Sequence, residues 1–95
     1  MACYMIGCDL NSPGEDYIAL IEAIEHLGTK SWQCLNAAWL VITDKTAVEI
    51  RDELKTYVDH NDELLIAELS GDAAWRGGDR NFSEGLKNVF SSLRA

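Results

Sequence analysis

Residues 3–16, CYMIGCDLNSPGED, constrain the fold more than any other stretch of this chain. An apolar run from Cys3 to Cys8 ends in Asp9, and a helix start follows at once. Ser12 suits the N-cap and Pro13 suits the first helical position. Glu15, three residues after the serine, completes a capping box. The order strand, Asp, short loop, helix follows, with the strand over about residues 3–9 and the helix over about 13–27. A carboxylate at the C-terminal tip of a first strand sits on rigid backbone and faces open solvent, which suits chemistry. Asp is equally a common loop and cap residue, and the functional reading turns on which of the two Asp9 is.

The first helix carries its apolar residues Tyr17, Leu20, Ile21, Ile24 and Leu27 on one stripe, with Glu22 and Glu25 on the other face. Gly28 is expected to stop it as the residue just past the helix end. Residues 32–43, WQCLNAAWLVIT, are rich in strand formers. Asn36 and Ala37 fit the bend of a hairpin between strands at about 31–35 and 38–43. Thr46 and Glu49 form a second capping box, which opens a helix over about 47–58. Ala47, Ile50, Leu54 and Tyr57 or Val58 are its inward positions. Asp59-His60-Asn61-Asp62 reads as a loop, and ELLIAEL at 63–69 as a last strand.

The order β-α-β-β-α-β predicts an α+β, ferredoxin-like domain: a four-stranded antiparallel sheet in the order 4-1-3-2, with two helices on one face. The core spans residues 1–70. Residues 71–95 form an extension, read as a glycine-rich loop over 70–82 and a helix over about 84–93 capped by Ser83. Leu86, Val89, Phe90 and Leu93 give that helix an apolar stripe. A helix of this length is marginal alone and needs a partner surface, on its own sheet or on a neighbouring subunit.

Ninety-five residues with 47% hydrophobic content make one domain with a real core, not a disordered chain. Eight basic residues stand against 16 acidic, a net charge of −8. That balance speaks against a broad phosphate grip by a monomer. It leaves room for a small basic patch, or for a metal that supplies positive charge. Acidity also simply keeps a protein soluble. Cys3, Cys8 and Cys34 are odd in number and contain no C-x-x-C pair, so neither a disulfide framework nor a zinc site is expected. No secretory signal and no bilayer-spanning apolar run is read, and the expected compartment is the cytoplasm.

The expected topology gathers Asp9, Asn11, Asn36, Asp59, His60, Asp62 and Glu63 at one end of the sheet. Thr43 and Asp44 go to the other. Oxygen ligands of this kind suit Mg²⁺ or Mn²⁺, which use one or two carboxylates with water and phosphate. His60 is a candidate general base or ligand, or a solvated loop residue; Asp59 and Asp62 read equally well as turn-capping residues. Trp39 reads as core and Trp32 as core or edge. Trp75, flanked by Arg76 and Arg80, is the candidate for stacking on a base or packing on a partner.

Tyr4-Met5-Ile6-Gly7-Cys8-Asp9-Leu10 resembles the first strand of the smaller of the two universal CRISPR adaptation proteins and of the related VapD toxins. Leu35…Trp39-Leu40-Val41 and Asp62-Glu63-Leu64-Leu65-Ile66 are similar to the second hairpin and last strand of that superfamily. Over residues 1–76 the chain is most similar to stand-alone, SinR-like bacterial proteins of the group. The resemblance implies a ferredoxin-like homodimer with sheets or C-terminal segments exchanged between subunits. In some relatives the residue matching Asp9 holds a divalent metal between two subunits of a nuclease; others are scaffolds. Three functions remain open: a metal-dependent phosphodiesterase acting on RNA or DNA, a non-catalytic dimer that binds a protein through its tail helix and Trp75, and a small-nucleotide binder.

Overall fold

The computed structural model describes residues 2–10 and 17–94, the last three by backbone alone. The expected cap at Ser12, Pro13 and Glu15 lies outside the described residues, as do Asn11 and the side chain of Leu93. The elements are β1 (Ala2–Asp9), α1 (Ile18–Glu25), β2 (Lys30–Leu35), β3 (Ala38–Thr43), α2 (Ala47–Leu54), β4 (Glu63–Glu68) and α3 (Arg80–Arg94). A 3-10 turn at Lys55–Tyr57 follows α2. The strands form one sheet in the order β2-β3-β1-β4, and every neighbouring pair is antiparallel.

Strand side chains alternate between the two faces, and here both faces are covered. On one, Tyr4, Ile6, Trp39 and Val41 meet Leu20, Ile24 and Leu27 at α1 and Ile50 and Leu54 of α2. On the other, Cys3, Leu40 and Ile42 meet Leu86 and Val89 of α3. This explains why β3 is a nearly continuous apolar run. A strand buried on both faces has no polar side to alternate with. The partner surface that α3 needs is therefore its own sheet, and each of Leu86 and Val89 contributes about 1.5–3 kcal/mol by leaving water.

Four boundaries differ from the sequence reading. The described part of α1 begins at Ile18, after Tyr17, which makes no side-chain cap. Gly28 is not a left-handed stop, because its φ is not positive. It is needed for close approach: a Cβ there would collide with the Ile42 carbonyl oxygen. The chain leaving α1 is bound to the end of β3 at that point, by Thr29 N–H to Ile42 O (2.9 Å) and the Thr43 hydroxyl to Leu27 O (2.8 Å). The regular part of α2 stops at Leu54, and the tightened turn leaves Tyr57 exposed and Val58 packed on the core. Finally, α3 starts at Arg80, not 84. Asp79 takes the capping role assigned to Ser83, its carboxylate accepting Phe82 N–H at 3.0 Å. Ser83 lies inside the helix. Among the described residues no helix is long and apolar enough to cross a membrane.

Candidate functional site

Asp9 is the last residue of β1, and Glu63, the first of β4, lies directly opposite it. Directly opposed residues share a face of the sheet with Cβ atoms about 4.5–5.5 Å apart, so two carboxylates stand side by side at the rim. Met5 and Cys3, four and six residues back on β1, face α3. By alternation Gly7 and Asp9 lie on that same face, beyond the end of the α3 cover.

The residues there form a line. Leu35 pairs with Ala38, Ala38 with Gly7, and Gly7 with Leu65. The row crosses all four strands, with small residues in the centre and a leucine at each side. Leu35 and Leu65 are both 60% exposed, and a Cβ at Gly7 would meet nothing within 4 Å. A shallow cleft of about 330 Å³, lined by Gly7, Cys8, Asp9, Glu63, Leu64 and Leu65, joins this apolar row to the carboxylate pair.

The expected gathering splits into two faces. Asp62 lies on the α1 side of the sheet, where its carboxylate accepts the Tyr17 hydroxyl at 2.9 Å and Asp59 N–H at 2.8 Å. Those bonds clamp the loop into β4 against the start of α1. Cys8 shares that side; burial, with the Asp62 charge second, pushes its thiol up to about 11. Asp59 accepts His60 N–H at 2.6 Å and meets His60 Nδ1 at 2.6 Å, with the His60 ring 86% exposed. Tyr17, Tyr57, Asp59 and His60 line a separate cleft. Asn36 occupies the β2–β3 turn, its carbonyl accepting Gln33 Nε2 at 2.9 Å.

The tail residues also separate. Trp75, 37% exposed, stacks on Phe90 with ring centroids 6.4 Å apart and donates Nε1–H to Ser83 Oγ at 3.3 Å. Arg80 pairs with Glu84 at 3.2 Å. Arg76 lines a different cleft, with Cys34, Leu35 and Phe82.

The two rim carboxylates offer oxygen donors of the type hard divalent cations take. Among the described residues no group of three or more His, Cys, Asp or Glu side chains is placed to hold a metal. One copy thus offers two neighbouring carboxylates, fewer donors than a closed metal site has. The apolar row was missed from sequence, although its signal was present: Gly7 and Leu65 occupy the same alternate positions as Asp9 and Glu63. No family model matches the chain, and no match was found among curated proteins or solved structures.

Proposed function

We propose that this chain is a ferredoxin-like, homodimeric, divalent-metal-dependent phosphodiesterase acting on RNA or DNA in the cytoplasm. The observation that carries the reading is the Asp9–Glu63 pair at an open rim beside the bare row Leu35–Ala38–Gly7–Leu65. Like charges directly opposite each other on neighbouring strands are unfavourable. A bound cation turns that arrangement into a favourable one. A second copy seated on the apolar row would bring two more carboxylates near the first two, because an isologous contact repeats every residue. The strand order, with α1 and α2 on one face, and the resemblance of Tyr4–Leu10 to a superfamily of which some members are metal-dependent nucleases support the same reading.

In this reading Asp9 and Glu63 hold Mg²⁺ or Mn²⁺. The ion, when bound, supplies charge neutralisation at phosphate and an acidified water. The protein's part is to keep both carboxylates on rigid strands, and to leave the adjacent cleft open for the chain to be cut. A net charge of −8 repels phosphate at long range, so metal-free protein should bind nucleic acid weakly. The test is cleavage of labelled single- and double-stranded RNA and DNA with Mg²⁺, Mn²⁺ or chelator, with Asp9→Asn and Glu63→Gln beside wild type. Metal-dependent cleavage lost in both variants is expected. Cleavage equal in wild type and variants rejects the site.

The exposed row also favours the second reading, a dimeric scaffold without catalysis. Both readings predict a dimer that Leu65→Glu dissociates, read by sedimentation; wild-type cleavage separates them, because the scaffold reading predicts that no substrate is cut. A protein partner docked on the apolar stripe of α3 is disfavoured, because Leu86 and Val89 are buried against the chain's own sheet.

A further inference from the structure

The two edges of the sheet are not alike. The β2 edge begins with Lys30 and is broken by a bulge between Gln33 and Leu35. Such features keep stray strands from pairing. The β4 edge carries no lysine, proline or bulge. Leu69 N–H donates to Cys3 O at 2.9 Å, so Cys3 and Leu69 are a hydrogen-bonded pair of the ladder. That parity turns the backbone groups of Glu63, Leu65 and Ala67 toward β1. The N–H and C=O groups of Leu64, Ile66 and Glu68 point to the free edge, spaced about 6.6–6.8 Å apart. Among the described residues no backbone bond reaches them.

The surroundings are strongly acidic. From Asp59 to Asp72 the chain has five carboxylates and no lysine or arginine. Arg51 of α2 and Lys55 of the turn after it are engaged with Asp52. Self-pairing at this edge is opposed by that charge. In the two-fold register where Ile66 meets its own copy, Glu68 of one chain lies diagonal to Asp62 of the other on the same face, and like charges meet at each end of the joint. An incoming strand with basic side chains reverses the sign of the same contacts.

We propose that the β4 edge binds an extended, basic segment of a partner protein by strand addition. Main-chain bonds to Leu64, Ile66 and Glu68 supply affinity, and Asp62 and Glu68, which share the α1 face of the sheet, select for lysine or arginine. The site is distinct from the proposed phosphodiesterase activity and does not depend on it.

The probe is a fluorescein-labelled hexapeptide of alternating lysine and valine, titrated with the full chain by fluorescence anisotropy. Two peptides accompany it: the same sequence with alternate backbone nitrogens methylated, and its glutamate–valine counterpart. The expected result is binding of the basic peptide, weakened at least about tenfold by methylation and by Glu68→Lys. The double variant Glu22→Lys/Glu25→Lys changes net charge more than Glu68→Lys does but lies on α1, and it should leave binding within about twofold. Asp9→Asn should also leave it unchanged, whatever that variant does to cleavage. Equal binding of the methylated peptide, or equal loss in the α1 variant, overturns the proposal by reducing the interaction to bulk charge. A chain that sediments as a dimer broken by Glu68→Lys overturns it in favour of a second copy at this edge.

Discussion

The indole of Trp32 occupies the space a side chain at Gly85 would need. A Cβ at position 85 would fall 2.6 Å from Trp32 Cζ2 and 2.8 Å from Cη2. Trp32 also packs against Phe82, one turn back on α3, with ring centroids 6.1 Å apart. The glycine lets β2 and α3 approach through a flat aromatic surface and specifies where the helix seats. Gly85→Ala therefore separates two opposing effects. Inside a helix this change ordinarily stabilises by about 1 kcal/mol. Here overpacking should win and destabilise by about 1–3 kcal/mol, read by urea denaturation. In a Trp32→Leu background the penalty should vanish or reverse. A stabilised single variant would mean that α3 is not seated on Trp32.

The start of α2 rests on reciprocal bonds. Glu49 N–H donates to Thr46 Oγ1 at 3.2 Å, and Thr46 N–H donates to Glu49 Oε1 at 2.9 Å. Thr46→Ala should cost about 1 kcal/mol. The bond from the Thr46 backbone holds the Glu49 carboxyl below its ordinary value of 4.5. A carboxyl depressed on folding stabilises above its unfolded value and loses that contribution as pH falls. Urea midpoints of wild type should therefore drop in mild acid more than those of Glu49→Gln. Parallel curves would show that the box adds no pH-dependent stability.

Cys8 should be a slow nucleophile. Its thiol is raised from 9.0 to about 11, chiefly by burial, and the reactive form is the thiolate. Folding thus holds the proton more tightly than the unfolded chain does. The stability Cys8 contributes is complete below pH 9 and is lost as pH rises toward 11. Iodoacetamide labelling at pH 8, read by mass spectrometry, should proceed at least about tenfold slower at Cys8 in native protein than in urea. Equal rates would place this thiol in solvent.

Glu63→Gln removes one of two opposed carboxylates without changing shape. In the absence of divalent metal the change should stabilise the chain by about 0.5 kcal/mol. Added Mg²⁺ or Mn²⁺ should raise the melting temperature of wild type and leave the variant unmoved. A metal response identical in both would remove Glu63 from the ligand set.

Local signals were the readable ones. The Thr46–Glu49 box is contained in four residues, and it placed the start of α2 correctly. The Asn36–Ala37 bend and the run WLVIT placed the β2–β3 hairpin. Asp79 was overlooked as a cap because it follows two glycines and the apolar stripe of α3 begins only at Phe82. Ser83, nearer the stripe, looked the better cap but is a partner of Trp75. The role of Gly28 depends on Ile42, fourteen residues away, and no local pattern announces it. The end of the sheet that collects Asp9, Glu63 and Asp62 followed from topology. That Asp62 faces away from Asp9 follows from counting alternation along β4, a step that a view of loop residues as one cluster omits.

The cover provided by α3 stops short of the sheet's full length. Around Cys3, Leu40 and Ile42 the strands are enclosed from both sides, whereas at Gly7 and Ala38 one face meets water. The ladder bonds are of one kind throughout, yet they differ in how easily solvent can reach them. Deuterium should enter the amides of β1 and β3 progressively from the Asp9 end, with those near Cys3 and Ile42 exchanging only when the whole domain opens. The domain is thus graded along its strands: a rigid, twice-covered half, and a half able to yield locally at the end where Asp9 sits.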